Sequence, residues 1–233
     1  MPQLADIGVI GLAVMGRNLA LNIADHGFRV SVFNRTAEKV VDFLAGEAAG
    51  SDIVGTSSLE EFVASLEPPR RMILMIKAGD AVDAQLDTLT PLLETGDIVI
   101  DGGNSLFTDT ARRVDALGAV GIRFVGAGIS GAELGARFGP SIMPGGSITA
   151  WPEIRPVLQA IAAHYDGEPT AEWIGPGGSG HYVKMVQNGI EYGYMQVIAE
   201  AYDILHRGLR MTAGEMQPVF SHWNQGKLDS YLV

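Results

Sequence analysis

The run "IGVIGLAVMGRNLALNIADHG", Ile7–Gly27, decides the fold. An apolar strand-like start meets Gly11, and apolar residues then recur at helical spacing. Gly11-Leu12-Ala13-Val14-Met15-Gly16 spells G-x-A-x-x-G. Gly11 permits the tight turn, and Ala13 is small enough for the backbone to approach a pyrophosphate. Gly16 lets the helix pack on the strand. The helix N-terminus then directs its unpaired N–H groups at the phosphates. A structural turn can use the same glycines, but this one stands at the first strand of a β-α-β unit, which strengthens the dinucleotide reading.

Outward from this motif, short apolar runs alternate with helical patterns. "RVSVFN", "DIVGT", "RMILMI", "DIVIDGG" and "IRFVGAGI" read as strands. Met15–His26, Thr36–Ala45 and Ala81–Leu93 read as helices, and Ser58-Leu-Glu-Glu61 as a capping box opening another. The rhythm predicts an α/β fold with a doubly wound, mostly parallel Rossmann-type sheet. Ser141–Gly146 is expected as a further strand, Pro152–Tyr165 as a helix and "AEWIG" as a last short strand. After "GPGGSG" no turn signal interrupts the pattern from His181 to about Arg207, and another helix is expected near Thr212. The expected division is residues 1–177 as an NADP-binding domain and 178–233 as the first helices of an all-α domain. The second segment has too few residues for a core of its own, so a longer protein is expected.

A net charge of −11 argues against a nucleic-acid partner, which needs a basic face. With no cysteine, disulfides and thiol nucleophiles are excluded, and the five histidines lack metal-ligand spacing, so no metal is expected. The N-terminus lacks a basic flank, and no apolar run reaches the roughly 18–20 residues of a membrane span. A cytoplasmic protein with no membrane partner is expected.

The end of the second strand selects the cofactor. Asn34-Arg35-Thr36 stands where an NAD enzyme usually offers Asp or Glu to the ribose. An arginine with amide and hydroxyl donors suits a 2′-phosphate that a carboxylate would repel, which favours NADP. Arg35 as a solvated surface residue is the competing reading. Two more strand ends carry polar loops, Ile76-Lys77-Ala78-Gly79 and Asp101-Gly102-Gly103-Asn104-Ser105. Both are expected at the carboxyl edge of the sheet, with Asp101 a turn or cap residue and Asn104 able to orient cofactor or substrate by its amide.

In "GSGHYVKMVQNGIEYGYMQ", Gly178–Gln196, helical geometry puts Lys184, Gln187, Asn188, Glu191 and Tyr192 within an arc of about 140°. An amphipathic helix with a solvated face and a Lys–Glu pair would look the same. The preceding glycines admit a neighbouring segment or ligand near the helix start, as a site requires.

"GLAVMG", "FNRT", "IKAG", "DGGNS", "GARFGPSIMPGG", "NGIEYG" and "LDSYL" occur in order, with Gly175-x-x-Gly178-x-Gly180-x-x-x-Lys184-x-x-x-Asn188. On these motifs the whole chain resembles the 6-phosphogluconate dehydrogenase family, within the β-hydroxyacid dehydrogenase superfamily. The resemblance implies NADP-dependent oxidative decarboxylation of 6-phosphogluconate to ribulose 5-phosphate and CO₂, in the pentose phosphate pathway and gluconate utilization. It implies Lys184 as the base that takes the C3 hydroxyl proton and then polarises the 3-keto oxygen. A lysine with the ordinary pKa of ~10.4 needs burial or a nearby cation for that task. Glu191 is implied as the acid that protonates C1 of the enediol, a role helped by a buried helix face.

By the same resemblance Asn104, Ser130, Gly131, Ala132, Gln187, Asn188 and Tyr192 bind the sugar acid phosphate. Gly11, Leu12, Ala13, Val14, Met15, Gly16, Asn34, Arg35, Thr36, Ile76, Lys77, Ala78 and Asn104 bind the cofactor, and the full-length protein is a homodimer. Three positions depart from the family pattern, which usually has Gly at Ala132, His at Gln187 and Asp at Tyr194. Two other readings use the same residues: a 3-hydroxy acid dehydrogenase without decarboxylation, and a non-catalytic NADP-binding module. The glutamate of "NGIEYG" favours the decarboxylating reading over these two, since an enediol needs protonation only after CO₂ loss.

Overall fold

The computed structural model describes residues 3–230 and 232–233, so Tyr231 of the closing motif lies outside the described residues. The strands are β1 (Ile7–Ile10), β2 (Val30–Phe33), β3 (Ile53–Gly55), β4 (Arg71–Leu74), β5 (Ile98–Asp101), β6 (Arg123–Ser130), β7 (Ser141–Gly146), β8 (His164–Tyr165), β9 (Glu168–Pro169) and β10 (Gly175–Pro176). The α-helices are α1 (Val14–Asp25), α2 (Ala37–Ala45), α3 (Leu59–Ala64), α4 (Asp80–Leu89), α5 (Phe107–Gly118), α6 (Ala132–Phe138), α7 (Trp151–Ile161), α8 (Ser179–Asp203) and α9 (Ala213–Trp223).

Eight strands form one sheet in the order β10-β7-β6-β5-β4-β1-β2-β3. β1 to β6 pair in parallel, because each crossover carries the chain over the sheet by a helix. β7 runs antiparallel to β6, and Ser141 lies opposite Ser130. The chain there turns back through α6 instead of crossing the sheet. Both faces are covered, as the near-continuous apolar strands require. Leu19, Ile23, Phe43, Ile154 and Leu158 pack one side. Phe62, Leu66, Leu86, Leu117 and Phe124 pack the other.

The alternation of strand and helix is as the sequence predicts; several boundaries are not. The helix expected over Pro152–Tyr165 ends at Ile161, where Ala162 turns extended with ψ 154°. His164–Tyr165 instead pairs with Glu168–Pro169, around Asp166 and Gly167 at φ +50° and +85°. That is the left-handed turn an Asp-Gly pair favours. "AEWIG" supplies a bridge from Ala171 to Ile142 and, in Gly175, the first residue of β10, the last strand of the sheet, which runs on to Pro176. The helix expected to Leu93 stops at Leu89, with a 3₁₀ turn at Thr90–Leu92 around Pro91. At α3 the Ser58 hydroxyl accepts from the Glu61 N–H, but the Glu61 carboxylate accepts from Ser57. The capping box is therefore half made there, while Thr212 and Glu215 complete one at α9.

The chain forms two compact units, one up to Lys184 and one from Met185. The second contains most of α8, a π-helical turn at Ile204–Gly208, and α9. Among the described residues no helix is long and apolar enough to cross a membrane.

Candidate cofactor cleft and catalytic helix

A cleft of about 720 Å³ opens at the carboxyl ends of β1, β4 and β5. The chain leaves β1 toward β2 on one side and returns to β4 on the other, so the cleft occupies the switch point of the sheet. Gly11, at φ +102°, turns the chain into α1, and a Cβ there would lie 3.0 Å from the Ile76 side chain. A Cβ on Gly16 would overlap the Gly11 carbonyl oxygen. Ala13 caps α1 with no side-chain hydrogen bond and no acid stands in the first turn, which leaves the N–H groups to face an anion.

The cleft wall carries Arg35, Lys39 and Lys77 and no Asp or Glu among the described residues. In a chain of net charge −11, this local cation excess suits a phosphorylated dinucleotide. Ala13, Val14, Met15, Thr36, Ile76, Ala78 and Asn104 line the same wall. Asn34 also reaches it, but its amide is partly engaged. Its Oδ1 accepts from the Leu12 N–H at 3.0 Å, and its Nδ2 donates to the Thr36 carbonyl at 3.0 Å. Asn34 thus joins the glycine turn to the Arg35 loop. Leu12 is buried in the core and Gly16 packs behind the turn, so neither lines the wall.

At the end of β5, Asp101 is fully buried. One carboxylate oxygen accepts from the Gly103 N–H at 3.0 Å, and the other from the Ser105 hydroxyl at 2.6 Å. Asp101 is therefore the turn residue the sequence suggests. It shapes the loop that presents the exposed Asn104 to the cleft.

The first turn of α8 lies directly on the sheet. A Cβ on Gly180 would overlap the Gly126 and Met143 carbonyl oxygens, and one on Gly178 the Phe107 carbonyl. His181 is buried, with Nδ1 2.6 Å from the Thr110 hydroxyl. Burial pushes the His181 pKa down, and the nearby Asp101 carboxylate opposes that. Lys184 is 7% exposed, and its Cβ and Cγ fill the space a side chain on Gly128 would take. Its surroundings are not those of a solvated helix face.

Ser130 ends β6 and Gly131 leads into α6 at φ +120°. Ala132 follows at φ +50°, a left-handed conformation that glycine adopts far more easily. In the second unit, Gln187 Nε2 donates to Glu191 Oε2 at 3.0 Å, one turn apart on α8. Glu191, Gln187 and Asn188 are half-buried there, whereas Tyr192 is exposed.

Sequence reasoning missed Lys39, although it stands four residues after Arg35 at the start of α2 and so one turn away on the same side. It also missed Arg113 and His181, which no local motif marks. Among the described residues no group of His, Asp and Glu could hold a metal ion.

A family model for the NAD binding domain of 6-phosphogluconate dehydrogenase matches residues 6–175. A second, for the C-terminal domain of 6-phosphogluconate dehydrogenase, matches residues 180–233. The chain is 58% identical over 229 residues to decarboxylating 6-phosphogluconate dehydrogenase 1 of Saccharomyces cerevisiae, covering 98% of this chain and 47% of that one. It is 57% identical to the decarboxylating enzyme of Haemophilus influenzae, with the same coverage. A solved structure of Plasmodium falciparum 6-phosphogluconate dehydrogenase, described as apo, with its cofactor NADP+ and with its substrate 6-phosphogluconate, superposes with a TM-score of 0.93. It is 43% identical and covers 97% of this chain and 49% of that one. The chain thus spans about half the length of the curated relatives it matches. With both family models matched in order, and the motifs of the resemblance standing on the cleft loops and on α8, the chain belongs to the 6-phosphogluconate dehydrogenase family.

Proposed function

We propose that this protein oxidises and decarboxylates 6-phosphogluconate to ribulose 5-phosphate with NADP. The observation that carries the reading is the buried Lys184, seated against Gly128 of β6, in a unit whose cofactor cleft has cations as its only charged lining among the described residues. The acid-free wall, the uncapped α1 N-terminus and the Arg35-Thr36 pair fit a dinucleotide carrying a 2′-phosphate. When bound, NADP supplies the hydride acceptor.

Lys184 takes the proton of the C3 hydroxyl as C3 is oxidised. Its ammonium then polarises the 3-keto oxygen, so that the electrons of the breaking C1–C2 bond are accommodated as CO₂ leaves. Glu191 gives a proton to C1 of the resulting enediol, and Gln187 holds its carboxyl through one oxygen. Asn104, Ser130, Gly131, Ala132, Asn188 and Tyr192 bind the sugar acid phosphate. The protein acts in the cytoplasm, in pentose phosphate metabolism, as a homodimer, with residues 178–233 opening an all-helical domain.

The test is NADPH and CO₂ formation from 6-phosphogluconate by the full-length protein, against a panel of small 3-hydroxy acids. Lys184→Ala is expected to abolish turnover and leave NADP binding nearly intact. A folded, NADP-binding preparation that yields neither product from 6-phosphogluconate refutes the reading.

A further inference from the structure

Two loops of the cleft, residues 76–79 after β4 and 101–105 after β5, come from different strands and need a common reference. Arg113 of α5 supplies one. It is 2% exposed, and every nitrogen of its guanidinium has a partner. Nη2 donates to the Gly79 carbonyl at 3.1 Å, on the first loop. Nη1 lies 3.4 Å from the Ser105 hydroxyl and 3.6 Å from the Asp101 carboxylate, on the second. Nε and Nη2 grip Asp83 of α4 at 2.9 Å each. This pairing holds the Asp83 carboxyl well below the usual carboxylate range, and Arg112 adds to it.

We infer that Arg113 is a positioning residue for the cofactor: its planar fork fixes the spacing between the Lys77 loop and the Asn104 loop. Arg113 itself does not line the cleft, so it touches no ligand. A lysine would keep the charge but could not span three partners in one plane. Arg112, the preceding residue, shares Asp83 but contacts neither loop. It therefore separates loop placement from the simple tying of α4 to α5. The inference rests on the reading of the cleft as an NADP site.

The experiment measures NADP affinity by calorimetry, and melting temperature, for the full chain and for Arg113→Lys, Ser105→Ala and Arg112→Ala. Arg113→Lys is expected to weaken NADP roughly tenfold, since displacements of an ångström in a binding loop are felt strongly. Ser105→Ala, which removes one anchor of the fork, is expected to weaken it roughly threefold, and Arg112→Ala to leave it unchanged. A wild-type chain that does not bind NADP refutes the cofactor reading, and this inference with it. If the wild type binds and folded Arg113→Lys and Ser105→Ala bind equally well, the positioning role alone is overturned. An Arg112→Ala loss equal to that of Arg113→Lys overturns it too. Should Arg113→Lys fail to fold, Ser105→Ala decides: affinity lost at an unchanged melting temperature supports the role, and unchanged affinity overturns it.

Discussion

Gly128→Ala tests whether the bare backbone of β6 sets the position of Lys184. A methyl at residue 128 would overlap Lys184 Cβ, lie 2.9 Å from its Cγ and stand 3.2 Å from the Gly180 carbonyl oxygen. Non-bonded carbons settle at about 3.5–4.0 Å, so the lysine stem has to move by about 1.2 Å or more. Overpacking of this kind costs about 1–3 kcal/mol of stability. Misplacing a reacting group by about 1 Å costs up to about 100-fold in rate. The full-length variant is therefore expected to keep its NADP affinity and its KM within about threefold while kcat falls by roughly 10- to 100-fold. NADPH absorbance with 6-phosphogluconate gives the kinetics, and thermal melts establish that the variant is folded. Gly118→Ala, where a Cβ meets nothing within 4 Å, is the matched control and should leave kcat unchanged. A folded Gly128→Ala enzyme with wild-type kcat would refute the steric argument.

His181 has a pKa lowered chiefly by burial, against the opposing charge of Asp101. Below about pH 6.5 the unfolded chain takes up a proton that the folded one refuses. Stability should thus be fullest above that pH and fall as pH drops, by up to about 1.4 kcal/mol between pH 7.5 and 5.5. Urea midpoints across this range should fall less steeply for His181→Asn, and parallel slopes would contradict the assignment. Arg35→Ala should weaken NADP by roughly 10- to 100-fold, from loss of about 1.5–3 kcal/mol of charge-assisted bonding, and leave NAD affinity alone in a fluorescence titration. Equal losses for both cofactors would remove Arg35 from 2′-phosphate recognition. Ala132→Gly relieves a left-handed conformation costing about 1–2 kcal/mol, offset by about 0.5–1 kcal/mol of glycine entropy. The melting temperature should rise, and a fall would show that the surrounding loop prefers the methyl.

The Rossmann-type sheet was legible because its strands are apolar runs and its first turn carries G-x-A-x-x-G, both local signals. The cofactor loops were legible for the same reason: strand ends are short and polar. Pro152–Tyr165 misled because apolar spacing continued past Ile161, while the Asp166-Gly167 turn signal lay just beyond it. Lys184 was found by motif, but its burial comes from Gly128, 56 residues earlier in the chain (184 − 128), and no window of sequence joins the two. Arg113 was invisible on the same ground. It reads as one more charge in "ARRVDALG", and only the fold brings Gly79, Asp83 and Ser105 around it.

The seat beneath Lys184 also bears on how such proteins can be recombined. The lysine stands on α8, yet its packing surface is β6, and the compact unit that holds it runs to residue 184 itself. A chimera joined at 177/178 would bring a foreign first turn onto glycines 126, 128 and 145, with carbonyl oxygens in the way of a methyl at residue 178 or 180. A chimera joined after Lys184 inherits turn and seat together. The seam at which the first compact unit ends is therefore inside a helix, one residue past Lys184.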